Sequence, residues 1–191
     1  MDKVICVYAS SSNSIDKKYI DVATRLGEAI ARNGDTLLFG GGMRGLMGAT
    51  AMAVHRLNGR VVGIIPEALN LKGVVYEMCD ELVVTKSLRE RKAIMDERSD
   101  AFIALPGGFG TLEELLEIIT LKQLKYHNKP IVILNYDGFF DSLLGQFGHI
   151  IEQNFARPEN SLLYHVTEDV EDALEYIDTY KPIEFRDKWL T

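Results

Sequence analysis

The sequence predicts an α/β fold: a doubly wound, mainly parallel sheet with helices on both faces. Three observations carry that prediction. Short β-rich runs are continuously apolar and lack the polar alternation of half-exposed strands, as expected for parallel strands covered on both sides. Between them lie longer stretches with apolar residues at helical spacing. Strand and helix then alternate along the chain without repeats, low-complexity tracts or linkers. A length of 191 residues suits one domain, so a single domain over 1–191 is expected, with 181–191 a C-terminal tail that docks on a neighbour. At 47% hydrophobic and 26% charged residues the composition is globular rather than disordered.

Strands are expected at 4–9, 36–39, 61–65, 82–85, 101–105 and 131–134, with a weaker one at 163–166. A helix is expected over 16–33, where Tyr19, Val22, Ala23, Leu26 and Ile30 share one face and Asn33-Gly34 supplies the stop. A second, over 111–127, carries Leu112, Leu115, Leu116 and Ile119 at the same spacing; two more are expected over 139–155 and 168–180. Ligands of such sheets bind beyond the carboxyl ends of the strands. Three strand ends rich in Gly or Ser therefore matter: Ala9-Ser10-Ser11-Ser12, Phe39-Gly40-Gly41-Gly42 and Leu105-Pro106-Gly107-Gly108.

The segment from Gly40 to Gly48 follows a strand and opens a helix. Gly40, Gly42 and Gly45 match G-x-G-x-x-G, although after the second strand rather than the first, and the acid about 20 residues on is Glu67, just after Pro66. Phosphate contact is the functional reading, and close strand–helix packing the structural one. The segment from Pro106 to Glu114 is sharper. Its three glycines between an apolar strand and an amphipathic helix form a nest of N–H donors, to which Thr111 adds a hydroxyl, so a phosphate monoester fits. Thr111 and Glu114 also match the Thr-x-x-Glu capping box, a structural alternative for Glu114.

Over Ser87 to Met95, read as a helix, Leu88, Arg91, Lys92 and Met95 form one stripe. Two cations thus occupy positions where a core-facing stripe is apolar, so they should face an anion or a cleft. A solvated face paired with Glu90, Asp96 and Glu97 is the alternative.

Other chemistry is excluded or unsupported. With 28 acidic against 21 basic residues, a net charge of −7 argues against nucleic-acid binding. Cys6 and Cys79 stand far apart with no Cys-x-x-Cys pair, which fits a reducing compartment. The apolar run at 4–9 is too short for a signal peptide, and no stretch nears the roughly 20 apolar residues of a membrane helix. A cytoplasmic protein without membrane attachment is expected. His55, His127, His149 and His165 show no metal-ligand spacing. Ser10 to Ser12 form no nucleophile elbow, and no Walker lysine follows either glycine loop.

Taken together, Cys6 to Ser12, Gly40 to Gly48, Glu90-Arg91-Lys92, Pro106 to Glu114 and Lys129-Pro130 resemble the LOG (Lonely Guy) family over about residues 3–177. These are cytokinin riboside 5′-monophosphate phosphoribohydrolases of Rossmann-like fold, labelled in older work as possible lysine decarboxylases. The resemblance implies hydrolysis of the N-glycosidic bond of AMP or an N6-substituted AMP, giving free base and ribose 5-phosphate without metal or organic cofactor. It makes Arg91 and Glu114 catalytic, with substrate contacts at Lys92, Gly107, Gly108, Gly110, Thr111 and Thr120; Gly41, Gly42 and Ser11 join these from the strand ends. Glu114 would stabilise an oxocarbenium-like centre and orient water, while Arg91 keeps it ionised. The resemblance also implies a homodimer, with the apolar segment 115–121 and Phe139-Phe140 as contact surface. One departure is Leu88-Arg89, where the family commonly has Met-His, and it bears on substrate preference. A non-catalytic nucleotide-binding module is the alternative. Pyridoxal-dependent decarboxylation lacks support, because Lys92 sits in a charged helix with no pyridinium partner.

Overall fold

A computed structural model describes residues 2–184. Its strands are β1 (Val4–Tyr8), β2 (Thr36–Phe39), β3 (Val61–Pro66), β4 (Glu81–Thr85), β5 (Ala101–Ala104), β6 (Ile131–Leu134) and β7 (His165–Thr167). Its α-helices are α1 (Lys17–Arg32), α2 (Gly45–Arg56), α3 (Leu88–Arg98), α4 (Phe109–Gln123), α5 (Asp141–Glu152) and α6 (Val170–Thr179). All seven strands join one parallel sheet in the order β4-β3-β2-β1-β5-β6-β7. The doubly wound fold is therefore observed. Chain direction across the sheet reverses after β4, when α3 carries the chain back to pair β5 with β1, Ile5 opposite Ala101.

Strand periodicity splits the core in two. Ile5 and Val7 point toward the layer of α1, α2 and α6, where Leu26, Val54 and Leu174 pack. Cys6 and Tyr8 point toward α3, α4 and α5, where Met95, Leu115 and Phe140 pack. The central strands are buried on both faces, as their apolar runs require. Strand β4 lies at an edge, and Leu82 and Val84 stay exposed along it.

Side-chain caps fix several helix starts. Asp16 accepts from the Lys18 N–H at α1, Ser87 from Glu90 at α3 and Asp169 from Asp172 at α6. Helices α5 and α6 are shorter at both ends than their expected spans. The suggested contact surface needs correction: Leu115 and Ile118 are core residues, because one face of α4 packs on the sheet, and Phe140, just before α5, is buried in the same cluster. Leu116 and Phe139 remain exposed. Leu88, expected on a core-facing stripe, is exposed in the first turn of α3. Most of the expected tail at 181–191 lies outside the described residues.

One glycine ties β1 to α2. Gly45 has φ +60°, and a Cβ there would lie 2.6 Å from the carbonyl oxygens of both Ser10 and Ser12. The Ser10 oxygen cannot retreat, because it accepts the N–H groups of Leu46 and Met47. Gly45→Ala should therefore cost about 2–4 kcal/mol through backbone strain and overpacking, lowering the thermal midpoint by roughly 5–15 °C. A midpoint within about a degree of the parent would mean that this junction yields freely.

Candidate active site

Strands β2, β1 and β5 are neighbours, so the three Gly- and Ser-rich strand ends open side by side at the point where the chain direction reverses. A cavity of about 600 Å³ lies there, lined from these ends by Ser10 to Ser12, Gly40, Gly42 and Gly108. Arg91 reaches it from α3, and Thr111 and Glu114 from α4. Its far wall is apolar: Met47, Ile65, Leu69 and Val74.

Two helices begin at this cavity, and their starts differ. At α2 the N–H of Gly45 donates to Asn13 Oδ1 at 2.9 Å, and those of Leu46 and Met47 donate to the Ser10 carbonyl at 2.9 and 3.3 Å. That helix start is already saturated. At α4 no acceptor among the described residues meets the N–H groups of Phe109, Gly110 or Thr111. Their donors and the positive end of the helix dipole are left for an anion. A Cβ at Gly108 or Gly110 would meet no protein atom within 4 Å, so both backbones are open to an approaching group. A Cβ at Gly107 would stand 2.1 Å from Thr111 Oγ1, so that glycine lets the hydroxyl fold back against the loop.

Helix α4 starts at Phe109, with extended Gly108 as its cap. Thr111 is thus inside the first turn and Glu114 in the second, and the capping box, the structural alternative for Glu114, does not form. Glu114 instead points across to α3, where its Oε1 accepts from Arg91 Nη2. The pair is enclosed, with side-chain exposures of 13% for Arg91 and 11% for Glu114. Burial raises the Glu114 carboxyl above its ordinary value, and the field of Arg91 opposes that rise. Beneath it on β1, burial pushes the Cys6 thiol up to about 12 and the Tyr8 phenol well above its ordinary value. Both stay neutral, and Cys6 offers no thiolate.

The second cation of the stripe also meets acids, on α4 rather than on its own helix. Lys92 forms ion pairs with Glu113 and Glu117. Burial pushes its ammonium down, but the two carboxylates more than offset this and hold it above its ordinary value. A protonated, doubly paired amine is unsuited to forming an imine. Lys92 lines a separate cavity of about 280 Å³ behind the ion pair, together with Arg89 and Glu114.

The structure thus gathers Arg91, Glu114, Gly108, Gly110, Thr111, Gly42 and Ser11 around one cavity. Four other expected contacts lie elsewhere. Lys92 borders the smaller cavity; Gly107 backs the loop; and Gly41, with φ +73°, accepts from the Tyr76 N–H behind the turn. Thr120 is exposed farther along α4, its hydroxyl bonded to the Leu116 carbonyl. Sequence reasoning missed the wall of Met47, Ile65, Leu69 and Val74, because Leu69 and Val74 sit in an irregular segment without periodicity. It also passed over Phe109, which is 90% exposed at the mouth between two glycines. An aromatic residue inside a glycine nest was the available signal.

A family model described as possible lysine decarboxylase matches residues 47–177. A protein of Arabidopsis thaliana named cytokinin riboside 5′-monophosphate phosphoribohydrolase is 39% identical over 181 residues, 95% of this chain and 79% of that protein. A probable cytokinin riboside 5′-monophosphate phosphoribohydrolase of Oryza sativa subsp. japonica is 42% identical over 93% of this chain and 71% of its own. Among solved structures, the molybdenum cofactor binding protein of Rippkaea orientalis superposes with a TM-score of 0.71 at 24% identity, covering 94% of this chain and 97% of that one. The molybdenum cofactor carrier protein of Chlamydomonas reinhardtii gives 0.71 at 22% identity, covering 93% and 97%. These two likenesses show the fold alone.

The raised Glu114 carboxyl has a consequence for stability. A carboxyl whose folded-state pKa exceeds its unfolded value stabilises the fold below the unfolded value and loses that contribution as pH rises through the folded one. Relative to Glu114→Gln, the parent should therefore lose thermal stability as pH rises from below 4.5 toward neutrality. Paired melts across that range measure it; a constant difference between the two proteins would contradict the burial effect.

Proposed function

The chain belongs to the LOG (Lonely Guy) family, whose family model carries the description possible lysine decarboxylase, and from that premise we propose that it is a nucleoside 5′-monophosphate phosphoribohydrolase. Its reaction adds water across the N-glycosidic bond of AMP or an N6-substituted AMP, releasing the free base and ribose 5-phosphate. The observation that carries this reading is the buried Glu114 carboxylate, held by Arg91, beside an unsaturated helix start in the same cavity. A nucleotide needs both features, one for its phosphate and one for its sugar.

The phosphate sits on the free N–H groups of Phe109, Gly110 and Thr111, with the Thr111 hydroxyl beside them. It anchors the sugar without touching the bond that breaks. As the bond to the base lengthens, positive charge develops at the anomeric carbon. Glu114 stabilises that charge in a water-poor setting and orients the attacking water. Arg91 opposes the effect of burial and so favours the charged carboxylate. Arg44, which also lines the cavity, adds positive charge near the anion. The proton released by water ends on the departing base, which balances the reaction.

A cytoplasmic setting belongs to the same proposal, supported by two cysteines that remain free thiols. Among the described residues no helix is long and apolar enough to cross a membrane. A homodimer completes the proposal. Helix α5 buries none of its residues fully: Leu143, Leu144 and Phe147 pack on the core but stay partly accessible, Ile150 and Ile151 are half-buried, and Leu116 on α4 is exposed. Apolar helix faces of this kind suit a second copy of the chain. Light scattering should give a mass near twice 21.4 kDa at micromolar concentration; the monomer mass would count against it.

The reaction is tested with a panel of nucleoside monophosphates and nucleosides, with free base and ribose 5-phosphate quantified. Both products should appear in equal amounts from AMP or an N6-substituted AMP, and the unphosphorylated nucleoside should turn over far more slowly. Glu114→Gln keeps an oxygen acceptor for Arg91 and should still fold, yet lose on the order of 10²–10³ in rate. Full-rate hydrolysis by this variant would overturn the role of Glu114. Nucleotide bound by the parent without turnover would favour the non-catalytic binding module.

A further inference from the structure

Gly40 ends the Phe39-Gly40 corner of β2, and nothing in its own backbone calls for glycine: its φ lies outside the left-handed region that Gly41 and Gly45 occupy. What excludes a side chain is Arg91. A Cβ on Gly40 would lie 2.9 Å from Arg91 Nη2 and 3.4 Å from its Cζ, with Met47 Sδ at 3.3 Å. Both neighbours are the distal parts of flexible side chains. By contrast, a Cβ at Gly45 would strike backbone carbonyls. A methyl group at position 40 is therefore one the fold can absorb and the guanidinium cannot.

The guanidinium has little else to hold it. Among the described residues Glu114 is its one hydrogen-bond partner, and its Nε is buried without any. Packing against the bare Cα of Gly40 thus decides where the cation rests relative to the carboxylate. We infer that Gly40 is a positioning residue for the hydrolysis: its missing side chain is the space in which the Arg91 guanidinium lies against Glu114. The inference rests on the assignment of Arg91 and Glu114 to the reaction. It separates Gly40 from Gly108 and Gly110, whose open backbones face the anion.

The test compares the parent, Gly40→Ala, Arg91→Ala and the double variant by thermal melting, by steady-state kinetics with AMP, and by carboxyl NMR titration of Glu114. The Glu114 resonance is identified by its loss in Glu114→Gln. The titration reads an environment of stated charges: Arg91 and Lys92 from α3, Glu113 and Glu117 on its own helix, and Cys6 and Tyr8 from β1. Of these charged and titratable groups, only Arg91 lies against the added methyl group. Gly40→Ala should fold and melt between the parent and Arg91→Ala, keep KM within about twofold, and lose kcat on the order of 10- to 10²-fold, the scale of an ångström-sized misplacement. Its Glu114 midpoint should rise, because the cation that lowers it has moved away. In the Arg91→Ala background, Gly40→Ala should change neither kcat nor the Glu114 midpoint.

A raised KM with kcat kept would make Gly40 part of the phosphate loop and overturn the inference. An unmoved Glu114 midpoint, or failure of Gly40→Ala to fold, would do the same. Absence of hydrolysis by the parent would sink the functional reading instead, and the titration would still decide whether Gly40 positions the ion pair.

Discussion

A guanidinium from α3 and a carboxylate from α4 meet beneath the carboxyl edge of the sheet, where water is largely excluded. Neither charge would be stable there alone, since removing one partner of a buried pair commonly costs several kcal/mol. Much of the surrounding architecture serves to bring them together. The α3 crossover returns the chain from the β4 edge to the centre, and β5 then launches α4 beside it. Met95 buries the far end of the α3 stripe, which turns Arg91 and Lys92 toward the acids of α4. The pair sets the Glu114 carboxyl between burial, which disfavours its charge, and Arg91, which favours it.

The two glycine-rich segments divide the work at the strand ends. Both precede helices, and either alone reads as a phosphate site. The loop after β1 sets them apart, because the Ser10 carbonyl and the Asn13 side chain consume the amides of α2. That arrangement braces β1 against α2 and leaves α4 as the helix start with donors to spare. Gly45 therefore serves the brace, and Gly108 and Gly110 serve the open nest. Glycines that look equivalent along the chain thus answer to different constraints: backbone strain, close approach of another chain segment, or clearance for a ligand.

Much of this was legible beforehand. Continuous apolar strands alternating with amphipathic helices specified a doubly wound parallel sheet, because strands covered on both faces tolerate no polar alternation. The segments holding Arg91, Gly108, Gly110, Thr111 and Glu114 could be singled out as well, since cations on a core-facing stripe and glycines before a helix each demand a partner. Less legible were Thr120, Gly41 and Lys92, which share a helix or a glycine run with cavity residues yet lie outside the cavity lining. Adjacency along a helix or a glycine run does not state which way a residue points.

The sequence by itself determined the secondary structure, the class of sheet and the short segments where chemistry is concentrated, because these depend on local periodicity and residue type. Only the tertiary structure decided which helix start remains unsaturated, that Glu114 pairs with Arg91 rather than capping its own helix, and that the empty side of Gly40 receives a guanidinium. Each of these depends on strand order, which brings β2, β1 and β5 together from distant parts of the chain. The competing partners, Ser10 for the α2 amides, Arg91 for Glu114 and Gly40 for Arg91, are 23 to 51 positions apart and drawn from four different strand connections, and no local pattern encodes which of them meet.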